Sequence, residues 1–350
     1  MHGHRARPQG PRHRLEGRAG ARTRSGESRC RRRRPGAPVS GASRPVSGDA
    51  SQDSYRHSRP VHRVRVRVPA STANLGSGFD TLGMALALHD EVEFAVAGSG
   101  LRIQVEGQGS GEVPTDERHL VVRALRGACE HLGYDLPGLE LRCRNRIPHS
   151  RGLGSSAAAI VSGVLAGYAL AGAEPDDAVL GIAAGFEKHA DNAAACLFGG
   201  LAIAWSGDDG FHATRLEPHP SLAPVLLVPE STSSTEAARG LLPAQVPHAD
   251  AAFAACRAAL AVHALSQEPS LLLTALDDRL HQPYRRAAYP ATGELVDALR
   301  AAGAPAAVSG AGPTVLALPG NGELPDGVDT SGFTTHRLDI DRTGATLRRL

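Results

Sequence analysis

Residues 61–68 alternate valine with Arg or His, the period-two pattern of a half-exposed strand, and Pro69 is expected to end it. Two further strands are predicted over 91–97 and 101–105, joined by the turn Gly98-Ser99-Gly100. Apolar residues recur at helical spacing over 119–132, and a strand is expected over 139–147. The Ala/Val/Leu-rich stretch 157–171 reads as a helix, and residues 175–189 as another, opened by Glu174-Pro175-Asp176-Asp177. A short strand over 201–205 follows. Near residue 220 the pattern changes. A strand over 225–228 leads into predicted helices over 234–241, 249–266, 270–280 and 292–302, then a strand–glycine turn–strand unit over 306–317. No internal repeat and no strict βαβ alternation is present, so the pattern predicts a two-domain α+β architecture, 61–220 and 221–350.

Residues 1–60 break with this pattern. They hold fifteen arginines against four acidic residues, a charge of +11 in a chain whose total is +2, which leaves −9 for the other 290 residues. So polar a segment cannot bury enough surface to offset its ordering entropy, and it is expected to be disordered. Arg-rich arms can bind nucleic acid or serve as targeting peptides. The plainer expectation is an unselected extension. For the folded part nucleic acid is not an expected partner, because it is acidic and the chain is only 4% aromatic. No uninterrupted apolar stretch is long enough to span a bilayer, so no membrane role is expected. Five cysteines, at 30, 129, 143, 196 and 256, are scattered and odd in number. They fit a reducing cytoplasmic setting better than a disulfide framework or a zinc site.

The densest chemistry lies in Ile147-Pro148-His149-Ser150-Arg151-Gly152-Leu153-Gly154-Ser155-Ser156-Ala157. Glycines let the backbone approach a ligand, and a helix opening behind them aims free N–H groups and partial positive charge at the same point. That is a device for holding phosphate, although a plain turn and cap would use the same residues. It is not a Walker loop, for the chain's one lysine, Lys188, stands elsewhere; nor is it Gly-x-Gly-x-x-Gly. Three further segments carry polar groups. Pro69-Ala70-Ser71-Thr72-Ala73-Asn74-Leu75-Gly76-Ser77-Gly78-Phe79-Asp80-Thr81-Leu82-Gly83 places Asn74 and Asp80 on a loop after a strand, where they can face a cleft or simply shape a turn. Glu187-Lys188-His189-Ala190-Asp191-Asn192, followed by Phe198-Gly199-Gly200, gathers a carboxylate, a histidine and an Asp-Asn pair. Glu187 with a serine hydroxyl would complete a magnesium shell beside nucleotide phosphates. The last is Ser309-Gly310-Ala311-Gly312-Pro313-Thr314.

In this order and spacing, the segments resemble the signature motifs of the GHMP small-molecule kinases, and in particular the branch that phosphorylates homoserine. The likeness runs from about Val64 to Leu318 and excludes the tail. It implies a ribosomal-protein-like N-terminal domain and a ferredoxin-like C-terminal domain with the active site in the cleft between them. It also implies ATP and Mg²⁺ as cofactors, L-homoserine as the small-molecule substrate, and a homodimer as the common assembly. By the same resemblance, Pro148, His149, Ser150, Arg151, Gly152, Leu153, Gly154, Ser155, Ser156 and Ala157 would hold the nucleotide. Ser156 and Glu187 would hold Mg²⁺. Asn74, Asp80, His189, Asp191, Arg239, Arg285 and Gly310 would bind the substrate, the two arginines through its carboxylate. Asn192 stands where related kinases place a carboxylate base. Direct transfer oriented by Asn192, with no strong general base, is therefore expected, and Asp80 is the alternative if a base acts. The sequence departs from the family at Lys188, commonly Gly, and at Ala190, commonly Pro. A mevalonate-type or sugar substrate is the alternative within the family, and a nucleic-acid-binding protein the alternative outside it.

Overall fold

The valine alternation builds β1 (Arg63–Ala73), with Val64, Val66 and Val68 fully buried. The strand does not stop at Pro69. Its register against β2 (Leu82–Val96) shifts between Pro69 and Ala70, and this bulge accommodates a residue that has no N–H to give the ladder. The structure is a computed structural model that describes residues 62–350, so the expectation of a disordered tail lies outside the described residues. The described residues lie in one compact unit.

The chain continues through β3 (Gly100–Gly107), α1 (Leu120–His131), β4 (Gly138–Asn145), α2 (Ser155–Ala171), α3 (Ala178–Glu187), α4 (Asp191–Phe198), β5 (Leu201–Gly207) and β6 (Gly210–Leu216). After β7 (Val225–Pro229) come α5 (Thr235–Gly240), α6 (His248–Ser266), α7 (Leu272–Ala275), α8 (Gln282–Arg285) and α9 (Pro290–Ala301). The last strands are β8 (Ala306–Val308), β9 (Val315–Ala317), β10 (Phe333–Arg337) and β11 (Thr346–Arg349). Among the described residues, one sheet has the order β11-β1-β2-β4-β3 with the β5–β6 hairpin attached to β2. The other has the antiparallel order β10-β7-β9-β8, the ferredoxin-like arrangement.

Helix α2 is buried on nearly every side, which explains why its sequence lacks a polar stripe. A Cβ on Gly163 would lie 2.4 Å from the Val121 carbonyl oxygen, and one on Gly167 would lie 2.7 Å from the Ala128 methyl. These glycines let α1 and α2 approach closely and leave α2 rigidly seated beneath the loop that precedes it. The second sheet uses both faces. On β7, Leu226 and Val228 join the main core, while Val225 and Leu227 pack with Leu295, Val296 and Leu299 of α9.

Several boundaries differ from expectation. The predicted helix over 270–280 ends at Ala275, and residues 278–282 turn around the Asp278 carboxylate. The helix predicted over 175–189 ends at Glu187, and the Asp-Asn pair opens α4 instead of closing a helix. Strands β6, β10 and β11 were not expected; they are largely exposed and carry little apolar signal. Among the described residues no helix is long and apolar enough to cross a membrane.

Asp90 sits at the start of the phosphate-type loop. Its Oδ1 accepts the N–H groups of Arg146 at 2.6 Å and Ile147 at 2.9 Å. Burial pushes its pKa up to about 6 in spite of those bonds. The neutral acid is thus favoured in the fold, a contribution complete below pH ~4 and lost as pH rises through about 6. Asp90→Asn keeps a carbonyl for both amides and cannot ionise. Its unfolding free energy, read by denaturant titration, should gain on the wild type between pH 4 and 7 by at most about 3 kcal/mol; parallel curves over that range would show the ionisation to be irrelevant.

Candidate active site

Between β4 and α2 the backbone enters the left-handed region three times, at Ser150, Gly152 and Gly154. The glycines are required by contact as well as by φ. A Cβ on Gly154 would lie 1.9 Å from Ser71 Oγ, and one on Gly152 2.2 Å from the Ser309 carbonyl oxygen. Three of the motif segments therefore touch. Ser71 N–H donates to the Leu153 carbonyl at 3.1 Å, and Gly310 N–H to the Ala73 carbonyl at 3.0 Å. Ser309 Oγ donates to the Gly152 carbonyl at 2.6 Å and lies 2.8 Å from Thr72 Oγ1. Ser71 Oγ donates to Asn192 Oδ1 at 2.9 Å, which brings in the fourth segment.

No side chain caps α2, so its first-turn N–H groups are left for a ligand at the cleft. Ser156 Oγ donates to Glu187 Oε1, and Glu187 Oε2 is buried without any hydrogen-bond partner. Burial raises the Glu187 pKa against the opposing effect of that serine. Next to it, His189 Nδ1 lies 2.9 Å from Asp191 Oδ1. Burial pulls the His189 pKa down, but the bond and charge of Asp191, with Glu187, outweigh it and the net shift is upward. The same Asp191 oxygen accepts the Asn192 N–H at 2.8 Å.

The opposite wall is cationic. Arg239 grips Asp80 with two bonds, Nη2 to Oδ1 at 2.6 Å and Nη1 to Oδ2 at 3.0 Å. Arg285 is 1% exposed, and the partners it reaches are neutral: the Ala238 carbonyl, the His281 ring and the Gly310 carbonyl. Burial lowers its pKa, while the charges of Asp80 and Asp278 act in the opposite sense without an ion pair being formed among the described residues. The Phe79 ring lies 5.7 Å from the Arg239 guanidinium and 5.4 Å from that of Arg285.

Asn74, Asp80, Ser150, Gly152, Leu153, Gly154, Ser155, Ser156, Glu187, His189, Asp191, Asn192, Arg239, Arg285 and Gly310 all line one cleft of about 220 Å³. A second cavity of about 250 Å³ shares Ser150, Ser155 and Ser156 with it and continues past His149, Val113, Pro114, His119 and Val121. The side chains of the other expected residues are placed differently. The Arg151 side chain turns from the cleft and donates to the carbonyls of His149, Pro229 and Glu230. The Leu153 and Ala157 side chains are core, and Pro148 lines neither cavity. The Asn74 amide is engaged in shaping the loop: Nδ2 donates to the Gly310 carbonyl at 2.7 Å, and Oδ1 accepts the Asp80 N–H at 3.0 Å. Asp80 has both oxygens on Arg239. Sequence reading passed over Ser71, Phe79 and the segment Ser233-Ser234-Thr235, which also lines the cleft. Ser234 had a signal, since its Oγ caps α5 by accepting the Ala237 N–H.

Gly154→Ala should distort the junction of three segments, since the new methyl meets Ser71 in a conformation that disfavours it. We expect kcat/KM for phosphoryl transfer to fall by about 100-fold. A steady-state assay with matched circular dichroism checks it, and unchanged turnover would show the contact to be dispensable.

Comparison with known proteins agrees with this geometry. A family model described as GHMP kinases N terminal domain matches residues 119–200, and one described as GHMP kinases C terminal matches 252–327. The homoserine kinase of Streptomyces coelicolor is 51% identical over 291 residues, covering 81% of this chain and 94% of that protein. That of Clavibacter michiganensis subsp. michiganensis is 49% identical over 297 residues, covering 82% and 94%. The crystal structure of homoserine kinase from Cytophaga hutchinsonii superposes with a TM-score of 0.73 at 28% identity, covering 85% of this chain and 100% of that one. A cleft joining an uncapped helix N-terminus to a pair of arginines is thus seated on a shared α+β scaffold, and the chain belongs to the GHMP kinase family, on its homoserine kinase branch.

Proposed function

We propose that the chain transfers the γ-phosphoryl group of ATP to the side-chain hydroxyl of L-homoserine, giving O-phospho-L-homoserine. The observation that carries this reading is Arg285, a buried guanidinium with only neutral partners, at the wall facing the α2 N-terminus. A buried cation that makes hydrogen bonds to neutral groups alone is costly unless a ligand supplies a carboxylate or phosphate in direct contact. An amino-acid carboxylate answers that need, which a sugar does not. The Asp80–Arg239 pair then suits a zwitterion, with its ammonium on Asp80 and its carboxylate between the two arginines.

The family implies ATP. The triphosphate would lie against the backbone N–H groups from Gly152 to Ser156, and the apolar cavity past His149 would take the base and ribose. Among the described residues no group of three or more His, Cys, Asp or Glu is arranged to hold a metal by itself. Glu187 nevertheless fits a divalent cation that arrives with phosphate, because its Oε2 is buried and unpartnered beside the Ser156 hydroxyl. Magnesium bound there supplies positive charge against the phosphate oxygens. In the transfer, the homoserine hydroxyl oxygen bonds to the γ-phosphorus while the bond to the β–γ bridging oxygen breaks, and ADP leaves. The hydroxyl proton departs to phosphate oxygen or solvent. Asn192, held by Ser71, cannot accept a proton but can orient the hydroxyl. Catalysis rests on positioning and charge, in keeping with a loose transition state.

ADP release coupled to NADH oxidation tests the substrate. L-homoserine should be turned over with kcat/KM about 100-fold or more above that of 3-aminopropan-1-ol, which lacks the carboxylate, or of mevalonate. Comparable rates with either would place the chain elsewhere in the family. Two variants test the roles at the carboxylate wall. Glu187→Ala should lower kcat/KM by about 100-fold or more and raise the magnesium concentration needed for half-activity, whereas Asn192→Asp should stay within about 10-fold of wild type. An unchanged magnesium titration in the first variant would remove Glu187 from the metal site.

A further inference from the structure

We propose that His281 is a positioning residue for Arg285: its neutral ring links that guanidinium to the backbone of the Asn74–Asp80 loop and thereby fixes where the substrate carboxylate binds. The inference rests on the reading of Arg285 as the carboxylate's partner. It concerns a residue that the function described above leaves unused.

The tautomer follows from the partners. His281 Nε2 lies 2.8 Å from the Gly76 carbonyl oxygen, which can only accept, so Nε2 carries the proton. That leaves the Nδ1 lone pair facing Arg285 Nη1, a pure donor, at 3.3 Å. The ring is fully buried and stacks on Phe79, with centroids 5.1 Å apart. Burial also drives its pKa down, against the pull of Asp278, in keeping with a neutral ring. Asp278 holds the turn itself, accepting the N–H groups of Leu280, His281 and Gln282.

This choice of residue has an electrostatic consequence. A carboxylate at position 281 would neutralise Arg285, and a charged histidine would repel it. A neutral acceptor holds the guanidinium in place without cancelling its charge. Nε donates to the Ala238 carbonyl, and Nη1 to His281 and the Gly310 carbonyl; no hydrogen bond among the described residues involves Nη2. Arg285 is thus anchored along one edge and open along the other, and it lines the cleft.

Two substitutions separate the two bonds of the ring. His281→Asn retains an acceptor near the Nδ1 position, whereas His281→Gln retains a donor near the Nε2 position and loses the acceptor towards Arg285. In the holoenzyme assay, His281→Gln should raise the KM for L-homoserine about 10-fold, the factor that ~1.4 kcal/mol represents, with the KM for ATP unchanged. His281→Asn should recover most of that loss. A parallel rise in both KM values, or equal behaviour of the two variants, would make His281 a packing residue only and overturn the proposal. A wild type without homoserine-dependent ADP release would instead defeat the functional reading itself. Should a variant fail to fold, ¹⁵N-histidine spectra of the wild-type protein address the same point. A neutral Nε2–H ring whose Nδ1 resonance moves on saturation with L-homoserine supports the inference, and a charged or Nδ1–H ring refutes it.

Discussion

The cleft depends on a set of backbone approaches that only glycine allows. Gly152 presses on the Ser309 carbonyl and Gly154 on the Ser71 hydroxyl, and each contact is shorter than a Cβ would tolerate. Around them run hydrogen bonds from Ser71 to Leu153, from Gly310 to Ala73 and from Asn74 to Gly310. Segments far apart in sequence are thereby locked into one surface before any ligand arrives. Helix α2 then contributes its dipole from a position fixed by the tight packing of Gly163 and Gly167 on α1. Rigid support of this kind matters because phosphoryl transfer draws on placement more than on covalent chemistry.

Charge is distributed with the same economy. One wall holds carboxylates, Glu187 with an unpartnered oxygen and Asp191 paired to His189. The other holds Arg239 on Asp80 and Arg285 on neutral partners. The first wall suits a cation and the phosphates that come with it; the second suits a molecule that carries both signs. Phe79 lies beside both guanidiniums and adds no charge of its own.

Much of this was legible in the residue string. The glycine–serine loop, the Asp-Asn pair and the third glycine turn announced close backbone approach and polar lining, because those residue types are hard to explain otherwise. Helix α1 followed from periodicity, α2 from its composition and α3 from its opening residues, whereas α4 was not expected. What escaped notice has physical reasons. Pro69 signals a break, yet a bulge lets β1 continue through it. Strands β10 and β11 are exposed and paired along one edge of each sheet, so they carry no apolar alternation. Arg151 looked like a phosphate ligand by position alone, and its side chain instead ties its own loop, at His149, to Pro229 and Glu230 at the end of β7. His281 gave no sign at all, since its role arises from a fold-back onto Gly76 some 205 residues away. Lys188 is a different case: it departs from the glycine common in the family, and the structure shows why glycine is common. It closes α3 in the left-handed conformation with φ 64°, where a side chain costs roughly 1 kcal/mol.

The two-pronged grip of Arg239 on Asp80 has a bearing on affinity. Any guest that engages these side chains must first part them, so part of its binding energy goes into breaking an internal contact. A guest offering one sign of charge replaces half of what it disrupts; a zwitterion replaces both halves. Weak retention of everything else, and easy departure once the guest's own charge pattern changes, are then built into the resting pocket.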